Sequence, residues 1–129
     1  MSDSKGKVLV VEDNPDEAQM VKMILEPRGY EVTLAADGRQ GLDKVHSEKP
    51  DLVILDVMMP VLDGFSMCRK LREDPEYADT RVILLTAVGA HIRDSSYPLN
   101  GVLRAEAQEY LEKPVDPEAL LATVDRLVA

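Results

Sequence analysis

Three apolar runs in this chain each end in a residue suited to phosphoryl chemistry. Val8-Leu9-Val10-Val11 ends in Glu12-Asp13, Leu52-Val53-Ile54-Leu55 ends in Asp56, and Val82-Ile83-Leu84-Leu85 ends in Thr86. A fourth stretch, Tyr110-Leu111, leads to Lys113-Pro114. Three carboxylates, a hydroxyl and an ammonium suit a magnesium-assisted phosphoryl site. Magnesium prefers oxygen ligands, keeps several waters and is held by one or two carboxylates plus phosphate oxygens. Asp13 and Asp56 fit as direct ligands, with Glu12 direct or through water. Without a cation the carboxylates repel, which raises the pKa of at least one. Asp56 is the candidate nucleophile: a carboxylate oxygen can attack a phosphoryl group in line and form an acyl phosphate. The transition state spreads charge over three equatorial oxygens, so Lys113 as a compact cation and Thr86 as a donor would assist.

These groups need elements that bring them to one edge. Runs so short, apolar and rich in Val and Ile read as strands buried on both faces of a parallel sheet. Open parallel sheets place ligands outside the carboxyl ends of their strands. The strands are expected at Lys7 to Val11, Tyr30 to Leu34, Leu52 to Asp56, Arg81 to Leu85 and Glu109 to Leu111. The second alternates apolar with polar residues and belongs at a sheet edge. Asn14-Pro15-Asp16-Glu17 starts the first helix: Asn14 caps, Pro15 suits the first turn and Glu17 returns a capping-box bond. Pro27 and Gly29 stop it. Asp37-Gly38 opens a second helix, Asp63-Gly64 a third and Asp116-Pro117 the last. Alternating strand and helix units imply a doubly wound α/β domain with helices on both faces. Between Ala87 and Gln108, Gly89, Pro98 and Asn100-Gly101 interrupt helical pattern, and Pro98 inside a helix would cost about 3 kcal/mol. That segment reads as an irregular loop followed by a short helix near Val102 to Ala107, with 89–101 the least ordered internal stretch.

Composition narrows the function classes. The 129 residues suit a single domain spanning 1–129, with a flexible start over 1–6. A formal net charge of -9 argues against direct nucleic-acid binding and against anionic membranes. No apolar stretch approaches the roughly 18 residues of a membrane span, and the start lacks the apolar core of a signal peptide. The one cysteine, Cys68, excludes an internal disulfide and reads as a reduced core thiol of a cytoplasmic protein. A flavin carrier would need a Gly/Ser/Thr-rich loop after the first strand, where Glu12, Asp13 and Asp16 would repel a phosphate. Aspartyl-phosphate phosphatases carry Asp-x-Asp after the first strand, which is absent here.

From Lys7 to Leu127 the chain resembles a response-regulator receiver domain, the phospho-accepting half of two-component signalling. The resemblance rests on Val10-Val11-Glu12-Asp13-Asn14, on Asp56-Val57-Met58-Met59-Pro60 followed by Asp63-Gly64, on Thr86-Ala87 and on Tyr110-Leu111-Glu112-Lys113-Pro114. It implies a flavodoxin-like five-stranded parallel sheet in the order 2-1-3-4-5. Glu12 and Asp13 match the acidic pair that holds magnesium, and Asp56 matches the phosphorylated aspartate. Thr86 matches the switch hydroxyl, Lys113 the phosphate-binding lysine, and Tyr110 the rotating aromatic, with a cis bond before Pro114. Met58 and Val88 match the positions that tune hydrolysis; as apolar side chains they imply a long-lived acyl phosphate. The implied donor is a sensor histidine kinase or a phosphotransfer protein, and an unidentified downstream protein reads the switched face. A homodimer stays open. The implied protein is not an enzyme beyond catalysing its own phosphorylation and dephosphorylation. The other reading is a receiver-like docking module read without phosphorylation. It draws on the unusual stretch between Thr86 and Lys113, longer than usual by roughly five residues. Glu106 also stands where the family usually ends a helix with glycine.

Overall fold

The computed structural model describes residues 4–57, 63–86 and 107–128. The elements are β1 (Gly6–Val11), α1 (Pro15–Leu25), a 3-10 turn (Glu26–Arg28), β2 (Tyr30–Ala35), α2 (Gly38–Glu48) and β3 (Leu52–Asp56). They continue with α3 (Gly64–Glu73), β4 (Arg81–Thr86), β5 (Glu109–Glu112) and α4 (Pro117–Val128). The five strands form one parallel sheet in the order β2-β1-β3-β4-β5. This is the expected doubly wound arrangement, with the alternating strand β2 at an edge. Among the described residues no helix is long and apolar enough to cross a membrane.

The continuous apolar strands follow from the two layers that cover them. Successive side chains of a strand point to opposite faces. Leu9, Val11, Val53, Leu55, Val82 and Leu84 meet Val45 of α2 and Met67, Cys68 and Leu71 of α3. Val8, Val10, Leu52, Ile54, Ile83 and Leu85 meet Val21 and Leu25 of α1 and Leu120, Val124 and Leu127 of α4. A strand with both faces covered has no polar side, which is why β1, β3 and β4 show no alternation.

The helix ends follow local chemistry with one exception. Asn14 Oδ1 accepts from the backbone N–H groups of Asp16 at 2.9 Å and Glu17 at 3.2 Å. Asp37 caps α2 through Gln40 N–H, and Asp63 caps α3 through Ser66 N–H. α1 passes through the 3-10 turn and ends at Gly29, whose φ of 100° only glycine adopts without strain. The exception is the capping box. The Asn14 N–H donates to Glu12 Oε2 at 3.2 Å, and Glu17 turns to Lys113. The Lys113 ammonium, just beyond the end of β5, outcompetes the weaker bond to a backbone amide.

Gly64 sets how closely α3 approaches the end of β3. Its N–H donates to Val57 O at 3.1 Å, and a Cβ at this position would lie 2.5 Å from Asp56 O. Backbone cannot move aside as a flexible side chain can. Gly64→Ala should therefore lower stability by about 1–3 kcal/mol in chemical denaturation, the usual cost of overpacking. It should also shift amide resonances around Asp56. A variant as stable as wild type would show that α3 can retreat freely.

Candidate functional site

β1, β3, β4 and β5 deliver their C-terminal residues to one edge of the sheet, as parallel pairing requires. The register aligns Val11 with Leu55, Asp56 with Leu85, and Thr86 with Glu112. The ends of β4 and β5 are tied by Lys113 N–H donating to Thr86 O at 2.6 Å, and the Lys113–Pro114 bond is cis. Val57 N–H donates to Leu85 O at 2.9 Å, which fixes the chain leaving Asp56.

Glu12, Asp13 and Asp56 each offer a carboxylate oxygen, and these oxygens lie within 4.8 Å of one another. Glu12 and Asp56 are buried, whereas Asp13 is exposed. Asp13 also opens onto a groove lined by Pro15 and Gln19 of α1, Ala35 of β2 and Gln40 of α2. Burial pushes the Glu12 carboxyl up to about 8, helped by its hydrogen bond and charge contact with Asp56. The Lys113 ammonium and the Asn14 N–H pull in the opposite direction and do not prevail. Burial is the main cause of the rise, and the neighbouring Asp56 adds to it. The donor set is all oxygen, close-packed and partly open to water, which fits magnesium.

Lys113 crosses the site. Its Nζ lies 2.7 Å from Glu17 Oε1, 3.0 Å from Glu12 Oε1 and 3.2 Å from Asp56 Oδ2. Burial alone would lower its pKa, but the three carboxylates outweigh that and hold it above the ordinary lysine value. Thr86 is 2% exposed, and among the described residues its Oγ1 engages no hydrogen-bond partner. A buried hydroxyl without a partner is costly, and a ligand oxygen beside it would relieve that cost. Tyr110 sits on β5 opposite Leu84 and packs partly buried against the cluster beneath α2 and α3.

The structure thus brings Glu12, Asp13, Asp56 and Lys113 together, with Thr86 at the end of β4 and tied to Lys113 through the backbone. Met58 and Val88, the expected hydrolysis-tuning positions, lie outside the described residues, as does the 88–106 segment. Sequence reasoning missed Glu17 as a member of the site, although it lies one helical turn beyond Asp13 on the element that leaves it. Gln108 was also missed. Its Oε1 accepts from Val82 N–H at 2.7 Å and from Arg72 Nη2 at 3.2 Å, while its own N–H donates to Val82 O at 3.0 Å.

Comparison with known proteins agrees with this geometry. Residues 8–125 match the response regulator receiver domain. The chain is 38% identical over 122 residues to the Synechocystis regulator RpaA, covering 95% of this chain and 48% of that protein. It is 36% identical to the Pseudomonas aeruginosa protein PilH, covering 96% of this chain and 98% of PilH. The chain thus spans about half the length of RpaA and nearly all of PilH. The receiver domain of a Pseudomonas aeruginosa sensor histidine kinase, solved with magnesium coordinated in its active-site cleft, superposes with a TM-score of 0.82. It is 31% identical and covers 95% of this chain and 97% of that one. With a parallel sheet in the order 2-1-3-4-5 and an acidic cluster at its C-terminal edge, the chain belongs to the response regulator receiver domain family of two-component signalling.

Proposed function

We propose that this chain accepts a phosphoryl group on Asp56 and uses it to switch a protein-binding face. The donor is a phosphohistidine of a sensor kinase or phosphotransfer protein. Asp56 Oδ attacks phosphorus in line; the P–O bond forms as the P–N bond breaks, and the donor imidazole leaves. The observation that carries this reading is the Lys113 ammonium, 3.2 Å from Asp56 Oδ2. It stands where the incoming phosphoryl oxygens gather negative charge. Glu12, Asp13 and Asp56 would hold magnesium, which when bound neutralises charge on those oxygens. The buried Thr86 hydroxyl is the natural donor to another of them. Its movement towards the phosphoryl group would leave room for Tyr110 to turn inward. The surface near β5 and α4 would then change for a downstream protein, as a local charge event biases a packing element.

The test is a small phosphodonor, acetyl phosphate, with and without magnesium, followed by intact mass. One added phosphoryl group in the presence of magnesium, and little with the metal chelated, is the expected result. No added mass in either condition would favour a docking module read without phosphorylation.

A further inference from the structure

The Lys113 ammonium has three N–H bonds, and the carboxyl groups of three acidic residues engage them. The nearest is neither member of the buried pair but Glu17 of α1, at 2.7 Å against 3.0 Å for Glu12 and 3.2 Å for Asp56. An ammonium so engaged cannot take up a phosphoryl oxygen until one partner lets go. We propose that Glu17 is a positioning residue that holds Lys113 in the resting arrangement and is the partner released when a phosphoryl group arrives on Asp56. The proposal rests on the phospho-accepting reading above.

Burial decides which partner leaves. The Glu12 side chain is 2% exposed and the Asp56 side chain 5%, whereas that of Glu17 is 39% exposed. A carboxylate detached from its cation inside the protein suffers the full desolvation cost, while one at the surface turns into water. Charge points the same way. The phosphoryl group brings close to two negative charges, and a carboxylate sharing the same ammonium repels it. Asp56 carries the phosphoryl group and Glu12 belongs to the cation cluster, so Glu17 alone of the three has no other task.

Glu17 therefore competes with the phosphoryl group for one lysine. Glu17→Gln keeps the size and helix-forming character of the side chain and removes its charge. The probe is beryllium trifluoride, an anionic mimic of the phosphoryl group, titrated with magnesium and followed by amide resonances. Glu17→Gln should bind it about fivefold more tightly than wild type, the span expected of a half-exposed ion pair. Glu17→Ala should change affinity in the same direction. Asp16→Asn removes an equal charge from the same turn of α1, and among the described residues Asp16 makes no ion pair with Lys113. It should leave affinity within about twofold of wild type. Equal or weaker binding by Glu17→Gln overturns the proposal, because Glu17 would then be preparing Lys113 rather than restraining it. So does Asp16→Asn matching Glu17→Gln, which would make the effect one of general charge. Failure of wild type to bind the mimic would overturn the phospho-accepting reading and this proposal with it, and that outcome is distinct from the other two.

Discussion

Asp56→Asn should take up no phosphoryl group from acetyl phosphate and magnesium, and at pH 8 without magnesium it should be more stable than wild type. The two effects have one cause. Asp56 sits buried against Glu12, and the Lys113 ammonium reaches both. On the phospho-accepting reading the Asp56 oxygen is the attacking group, so the amide abolishes the covalent step outright. The same replacement removes a negative charge from a crowded cluster while Lys113 keeps Glu12 and Glu17 as partners. The gain in chemical denaturation should be of order 1 kcal/mol and should vanish once magnesium is added to wild type. Phosphoryl incorporation elsewhere in Asp56→Asn would disqualify Asp56. A loss of stability would mean that the carboxylates do not oppose one another.

Magnesium affinity should rise steeply with pH up to about pH 8 and level off above it. The Glu12 carboxyl, raised from 4.5 to about 8 by burial and by Asp56, keeps its proton at neutral pH. A cation entering the cluster must displace that proton. Below pH 8 the apparent affinity therefore gains up to about tenfold per pH unit, with close to one proton released per ion near pH 6.5. Calorimetry in buffers of different ionisation enthalpy measures that proton. Folding without metal runs the other way. Between pH 4.5 and 8 the unfolded chain has released a proton that the folded chain still holds, so metal-free stability falls as pH rises through this window. Glu12→Gln should flatten both dependences. An affinity that is constant from pH 6 to 7.5 in wild type would contradict the assignment.

The sheet and the gathering of Glu12, Asp13, Asp56 and Lys113 at its edge were legible because their signals are local or repeated. Uninterrupted Val, Ile and Leu runs report two covered faces wherever they occur. A polar residue directly after such a run has only the strand end to occupy. Asn14, Asp37 and Asp63 cap the helices that follow them, within three residues. Glu17 was misread for the same reason. Its spacing from Asn14 is that of a capping box, and only the fold brings Lys113, 96 positions away in sequence, within 2.7 Å. Gln108 carried no signal at all, since nothing in its neighbours foretells a side chain bonded to the β4 backbone. Met58, Val88 and the interrupted stretch before Gln108 lie outside the described residues, so the readings made there rest on sequence.

Gln108 and Lys113 together act as a splint across β4. One closes the strand pair at Val82 and the other at Thr86, each through backbone bonds, and Gln108 adds a side-chain bond and a tie to Arg72 of α3. The chain that departs after Thr86 must therefore return at a fixed point, whatever happens between. Closing a flexible connection costs only about 0.6 kcal/mol more for each doubling of its length. The length of this stretch can thus change at little cost to the acidic edge, whose geometry is secured on the far side.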